Sequence, residues 1–190
     1  MEMAKKAGLE ASPDPDLAEL IRQLDHAVDL GDAQRTTAAV KRTLSDMIRA
    51  DRIRLPGRYF EALPDTYARR MLHRDEKRGY NAIVMTWGPG QGTMLHDHAG
   101  IWCVEGVVSG ELEVVQYEMT DDTGGRYRFA PRGRVHALAG ASGALIPPFE
   151  YHILRNALPD RVTVTLHVFG GEMTHCHLFE PSTDGSYARI

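Results

Sequence analysis

The sequence predicts an all-β sandwich or barrel carrying a small helical extension at its N-terminus, and three observations lead there. From about Tyr80 onward the chain runs as short stretches rich in β-branched and aromatic residues. Gly, Pro and Asp clusters separate those stretches at short intervals, the spacing of many short strands joined by turns. Before residue 60 the apolar residues instead recur every three or four positions, as on one face of a helix. The expected organisation is one structural domain, with residues 1–60 as the helical extension and 61–190 as the barrel.

The polar residues 1 to 13 are expected to fray, after which Ser12-Pro13-Asp14-Pro15-Asp16 supplies capping groups and proline for a helix start. Leu17, Leu20, Ile21, Leu24, Ala27 and Val28 form the first stripe, and Gly31 marks its end. Asp32 can cap a second helix whose stripe is Ala39, Val40, Leu44, Met47 and Ile48. Together the two helices are expected to make a small N-terminal cap. Candidate strands follow at Tyr80–Trp87, Ile101–Val108, Glu111–Met119, Arg126–Phe129, Val135–Leu138, Gly143–Ile146, His152–Asn156 and Arg161–Phe169. Trp87, Trp102 and Phe149 read most simply as core or pocket wall.

A chain of 190 residues can bury a full core without disulfides or a structural metal. With 43% hydrophobic and 25% charged residues and a net charge of −4, it shows neither the composition of a disordered segment nor the basic footprint of a nucleic-acid binder. The two cysteines, Cys103 and Cys176, form no close-spaced framework, which suits a reducing compartment. The charged N-terminus leads into no apolar signal core, and no stretch approaches the roughly 20 apolar residues of a membrane span, so a cytoplasmic protein is expected. Small-molecule chemistry is the default, and the oligomeric state is left open.

That chemistry centres on histidine. His96 and His98 flank Asp97, and on an extended strand both imidazoles would share one face because side chains alternate with period two. Two neutral imidazoles so placed can hold one metal. The other histidines carry less: His26 lies in a helical stretch, and His73 and His136 sit among polar residues where solvation is expected.

Gly90, His96 and His98 stand in a G-x5-H-x-H arrangement, with Gly110 beyond it. Pro147, His152 and Asn156 stand in P-x4-H-x3-N. This pair resembles the two motifs of the cupin superfamily, which implies a jelly-roll β-barrel and adds His152 as the third metal ligand. A typical cupin carries a glutamate five residues after the second histidine, where this chain has Cys103. Three neutral ligands leave a divalent ion with net positive charge and open positions, which suits an anionic substrate together with dioxygen.

The stretch Trp87-Gly88-Pro89-Gly90-Gln91-Gly92, followed by His96-Asp97-His98 and Cys103, resembles the cysteine dioxygenase family, over roughly Tyr67 to His177. The resemblance implies a non-haem Fe(II) on His96, His98 and His152, and conversion of a small carboxylated thiol plus O2 to its sulfinate. It also implies roles for residues around the metal. Thr165-Leu166-His167-Val168-Phe169 is similar to the family's Ser-x-His-x-Tyr strand, so Thr165 and Phe169 are expected at the substrate, with His167 as a catalytic hydrogen-bonding group. Phe169 departs from the pattern. Without a hydroxyl it cannot form the tyrosine–cysteine crosslink of the family's animal enzymes, so Cys103 is expected as a free, partly buried thiol beside the substrate unless another tyrosine, such as Tyr151, adjoins it.

Tyr67-Ala68-Arg69-Arg70-Met71-Leu72 resembles the family's Tyr-x-Arg-x-Leu strand. That makes Arg69 the expected clamp on the substrate carboxylate, with Tyr67 beside it and Arg70 as the gap-shifted alternative. A guanidinium fits this task because it can grip a carboxylate through two parallel hydrogen bonds. Cysteine is the first choice of substrate and 3-mercaptopropionate the second, while a dicarboxylate held by both arginines also fits. His175-Cys176-His177 looks like a metal cluster, but the family carries a similar Cys-His without using it as a ligand set. Other classes compatible with a cupin are a metal-dependent isomerase, a dioxygenase of carbon substrates, and a non-catalytic small-molecule binding or sensing module.

Overall fold

The computed structural model describes residues 15–190, so the expected fraying of residues 1–13 and the cap at Ser12 lie outside the described residues. Helix α1 spans Pro15–Val28 and α2 spans Ala33–Arg49. Leu17, Leu20, Leu24 and Ala27 of α1 are buried, as are Val40, Leu44 and Met47 of α2, so each helix buries its expected stripe. Gly31 adopts φ +75° and turns the chain between them. The Asp32 carboxylate accepts hydrogen bonds from the amides of Gln34 and Arg35 at the start of α2. Most of the stability of such helices comes from packing an amphipathic face, and docking on the strands supplies it.

Eleven strands follow: β1 Ala68–Asp75, β2 Tyr80–Trp87, β3 Leu95–His96, β4 Cys103–Ser109, β5 Glu111–Asp121, β6 Arg126–Leu138, β7 Ser142–Leu145, β8 His152–Asn156, β9 Thr163–Phe169, β10 Leu178–Pro181 and β11 Tyr187–Arg189. One sheet has the order β1-β2-β9-β4-β7, and a second, β10-β11-β6-β5-β8-β3, closes on itself through β3 and β10. From β4 to β9 the chain passes repeatedly between the two, and every pairing is antiparallel. This is the winding of a cupin-type jelly roll with two helices before it, as expected.

Strand alternation sorts the side chains of the first sheet into two cores. Val84, Val104, Leu166 and Val168 pack outward against α1 and α2. Met85, Trp87, Cys103, Val107 and Phe169 point the other way and meet Leu112, Leu145 and Leu154 inside the barrel. The helices therefore cover the outer face of this sheet and leave the interior to the site.

Several boundaries differ from the expectation. Arg126–Phe129 and Val135–Leu138 belong to one strand, because Pro131 sits where the β5–β6 register shifts between Gln116 and Tyr117 and no ladder hydrogen bond from its nitrogen is required. The short strands β3, β10 and β11 carry too few residues for a periodic signal. Phe149 is 67% exposed and is neither core nor pocket wall. Gly110 turns β4 into β5 with φ +86°, where a Cβ would lie 2.5 Å from Thr163 Oγ1. Among the described residues, no helix is long and apolar enough to cross a membrane.

Candidate metal centre

His96 ends β3 and His152 opens β8, and the register makes them direct cross-strand partners despite the long separation in sequence. Their Nε2 atoms face each other at 3.1 Å. The His96 Nδ1 lies 3.0 Å from the Met94 carbonyl, which makes it the protonated nitrogen and leaves the Nε2 lone pair free. Two nitrogens held at right angles about 2.1 Å from one ion would be about 3.0 Å apart, so this spacing fits shared coordination.

His98 lies beyond β3, so the two histidines do not share one strand as the H-x-H reading supposed. It reaches the same point through a turn in which Ala99 and Gly100 take positive φ and the His98 amide donates to a Glu150 carboxylate oxygen. One donor nitrogen from each of His96, His98 and His152 lies within 4.8 Å of the others, and all three residues are buried. Asp97 faces away and grips the C-terminal segment, accepting from the His177 amide at 2.9 Å and pairing with His177 Nδ1 at 2.7 Å. His177 is thus engaged with Asp97, and the groups of metal-capable donors found among the described residues do not include His175-Cys176-His177.

The electrostatics suit a cation. Burial lowers the pKa of His96, takes that of His98 down to about 3, and holds those of His152 and His167 well below the ordinary imidazole range. All four rings are therefore neutral at neutral pH, with lone pairs available. His98 Nδ1 and His152 Nδ1 are buried without hydrogen-bond partners; the first is open to a ligand, and the second faces Glu105.

The remaining expected residues surround this cluster. Thr165, His167 and Phe169 alternate on the inner face of β9 and are fully buried. Thr165 Oγ1 lies 2.8 Å from His167 Nε2 and accepts from Trp87 Nε1 at 2.9 Å. The Phe169 ring stands edge-on to His98 at 5.6 Å. Cys103 pairs across the sheet with Phe169 and is wholly buried rather than partly so; burial first, then the Glu105 charge, pushes its thiol pKa well up. Tyr151 packs instead against Phe129 and Phe179.

Arg69 and Arg70 part company on β1. Arg69 pairs with Met85 and so stands on the strand face that turns toward the interior, but it is itself exposed; its charge bears on His96, His98, Cys103 and His167. Arg70 donates to the Glu61 carbonyl and the Thr86 hydroxyl on the opposite face. Tyr67 stacks on Trp87 at 4.4 Å, and burial raises its phenol pKa against the opposing charge of Arg69. Of the histidines expected in solvent, His26 and His136 are exposed, whereas His73 is half-buried beside Asp25 and Asp75 with its Nε2 unpartnered.

Glu105 was not among the expected site residues. It follows Cys103 by two positions on β4, so strand alternation alone would have put it on the same inner face. Its Oε1 lies 3.5 Å from His152 Nδ1 and 3.7 Å from His167 Nδ1, without a hydrogen-bond partner. Burial lifts its pKa to about 8. A carboxyl group therefore does face the cluster, two residues beyond the position where a typical cupin carries one.

Comparison with known proteins places this geometry in a family. A solved structure from Klebsiella pneumoniae, an uncharacterized conserved protein with a double-stranded β-helix domain, is 19% identical with TM-score 0.49, covering 68% of this chain and 97% of that one. An oxalate oxidase in complex with the substrate analogue glycolate is 17% identical with TM-score 0.48, covering 61% and 58%. A curated relative, cysteine dioxygenase type 1 of Danio rerio, is 24% identical over 121 residues, and the match spans 62% of this chain and 57% of the relative's length. The sequence profile of cysteine dioxygenase type I matches residues 15–182, so nearly all of the strands and every residue of the cluster fall inside it, and the chain belongs to the cysteine dioxygenase type I family.

Proposed function

We propose that this chain is a thiol dioxygenase that holds Fe(II) on His96, His98 and His152 and converts a small carboxylated thiol plus O2 to the corresponding sulfinate. Both oxygen atoms enter the product, R–SH + O2 giving R–SO2H, so no further reductant is required. The observation that carries the reading is the convergence of three buried, neutral imidazoles on one point; the charge of Arg69 bears on two of them. When bound there, iron supplies a Lewis acid that favours the thiolate and the redox chemistry needed for dioxygen.

The chain's own residues bind and orient. Arg69 is proposed to take the substrate carboxylate, fixing the sulfur toward the three histidines; positioning of this kind is a large part of what a protein adds to such a reaction. Tyr67 and Trp87, stacked beside Arg69, form an apolar wall. Phe169 stands edge-on to His98 and offers no hydrogen bond to the substrate. His167 holds a hydrogen bond with Thr165 beside the histidine cluster. Cysteine is the first substrate proposed and 3-mercaptopropionate the second. A cytoplasmic, reducing setting belongs to the same proposal, in keeping with two free cysteines.

The test is metal content, oxygen uptake and sulfinate formation with cysteine, 3-mercaptopropionate and mercaptosuccinate after anaerobic loading with Fe(II). One sulfinate formed per O2 consumed is expected for at least one of them, with both metal and activity lost in His96→Ala and His152→Ala. Oxygen uptake that yields disulfide and peroxide instead of sulfinate would show thiol oxidation without dioxygenation, and thiol binding without turnover would show a binding module; either would overturn the proposal.

A further inference from the structure

Glu105 is a buried acid for which the proposed reaction has no task. It stands inside the barrel, opposite His167 in the β4–β9 register, with its Oε1 unpaired. Leaving a carboxyl oxygen unpaired in such a place costs stability, so its neighbours matter.

Those neighbours are two imidazole nitrogens of matching need. His96 shows the local pattern: Nδ1 is tied to a carbonyl oxygen and Nε2 is turned toward the metal position. His152 presents its Nε2 to the same point, and its Nδ1 faces Glu105 Oε1 instead of a carbonyl. On the other side, the Thr165 hydroxyl accepts from Trp87 Nε1 and is hydrogen-bonded to His167 Nε2, the acceptor within reach of its own hydrogen. A hydroxyl donating to Nε2 leaves the His167 proton on Nδ1, the nitrogen that faces Glu105.

We infer that Glu105 is a positioning residue joining the metal centre to His167, its Oε1 receiving the Nδ1 hydrogens of both His152 and His167 in the metal-loaded protein. The resulting chain runs from Trp87 through Thr165 and His167 to Glu105 and His152, and fixes the tautomer of both rings. The 3.5 and 3.7 Å separations are a few tenths of an ångström longer than a hydrogen bond, so small side-chain shifts complete it. Carboxylate partners of metal-bound histidines orient the ring and raise its basicity. The inference rests on the reading of His96, His98 and His152 as metal ligands. Its competitor is direct ligation, since Glu105 also lies with His98 and Cys103 in a group of donors within 4.8 Å.

Nitrogen-15 NMR of the histidines in the zinc-loaded protein tests it without any substitution. His152 is expected to bind through Nε2 and to carry its proton on Nδ1, and His167 to carry its proton on Nδ1. Glu105→Leu should weaken Co(II) binding by about 10- to 100-fold, and Glu105→Gln, which keeps an oxygen acceptor, should restore most of it. A His167 proton on Nε2, or Co(II) affinity unchanged in Glu105→Leu, overturns the inference while the metal reading stands. So does Glu105 proving to be a direct zinc ligand. If the parent protein binds no zinc at the three histidines, the metal reading falls and this inference with it.

Discussion

Arg69 and Arg70 are neighbours in sequence with opposite surroundings, and strand alternation is the reason. Arg69→Ala is expected to lower kcat/KM for a carboxylated thiol by about 10- to 100-fold, the weight of a lost charge-assisted pair. The same substitution should have little effect with a thiol lacking a carboxylate. Arg70→Ala should leave kcat/KM within about twofold, because its partners are the Glu61 carbonyl and the Thr86 hydroxyl on the outer face. Steady-state oxygen uptake for both variants, with and without a carboxylate on the thiol, checks the pair. At this scale the sequence was informative about identity: His96, His98 and His152 were readable from two spaced motifs, and the structure brings them together. Glu105 matches no motif position, because the cupin pattern places its carboxylate at 103, where this chain has Cys103. The same alternation that separates the arginines would have shown Cys103 and Glu105 on one face.

Single elements were legible in proportion to their length. β2 and β8 have the bounds expected from their alternation and turn signals, Tyr80–Trp87 and His152–Asn156. β3, only two residues long, exists because β8 and β10 flank it, and nothing in its own composition specifies it. The segment after β9 shows a similar dependence on close approach. Gly170 lies under Trp102, and a Cβ there would fall 2.0 Å from the indole Nε1. Gly170→Ala is therefore expected to destabilise by about 1–3 kcal/mol, as overpacking does. Urea melts should show this loss, with partial recovery when Trp102→Leu is added. An unchanged midpoint in the single variant would show that the indole moves aside freely.

For the whole molecule, burying neutral imidazoles links folding to pH. His98 has a folded pKa of about 3 against an ordinary 6.5, so the unfolded chain takes up its proton first as pH falls. Its contribution is intact above about pH 6.5 and is lost as pH drops toward 3. His152 and His167 shift in the same direction for the same reason, burial. The metal-free protein should therefore lose stability below pH 6.5, by up to about 1.4 kcal/mol per pH unit for each such group. Glu105 has the opposite sign: its folded pKa of about 8 lies above the ordinary 4.5, so its contribution is intact below 4.5 and is lost as pH rises through 8. Metal-free Glu105→Gln should accordingly gain on the parent between pH 5 and 8. Denaturant melts across pH 4–9, with and without bound metal, would show both slopes, and a flat acid side would contradict the neutral, buried histidines.

The all-β class, the stripes of both helices, the outer and inner faces of the long strands, and the three histidines that converge were all legible in the chain's local patterns. Each of these depends on local spacing, through the alternation of a strand, the pitch of a helix or the conformational demands of a turn. That His96 lies opposite His152, that Glu105 lies opposite His167, and that Asp97 holds the C-terminal segment became visible in the folded chain alone. Those are matters of register between distant strands, set when the sheets close around a shared core, and no local pattern encodes them.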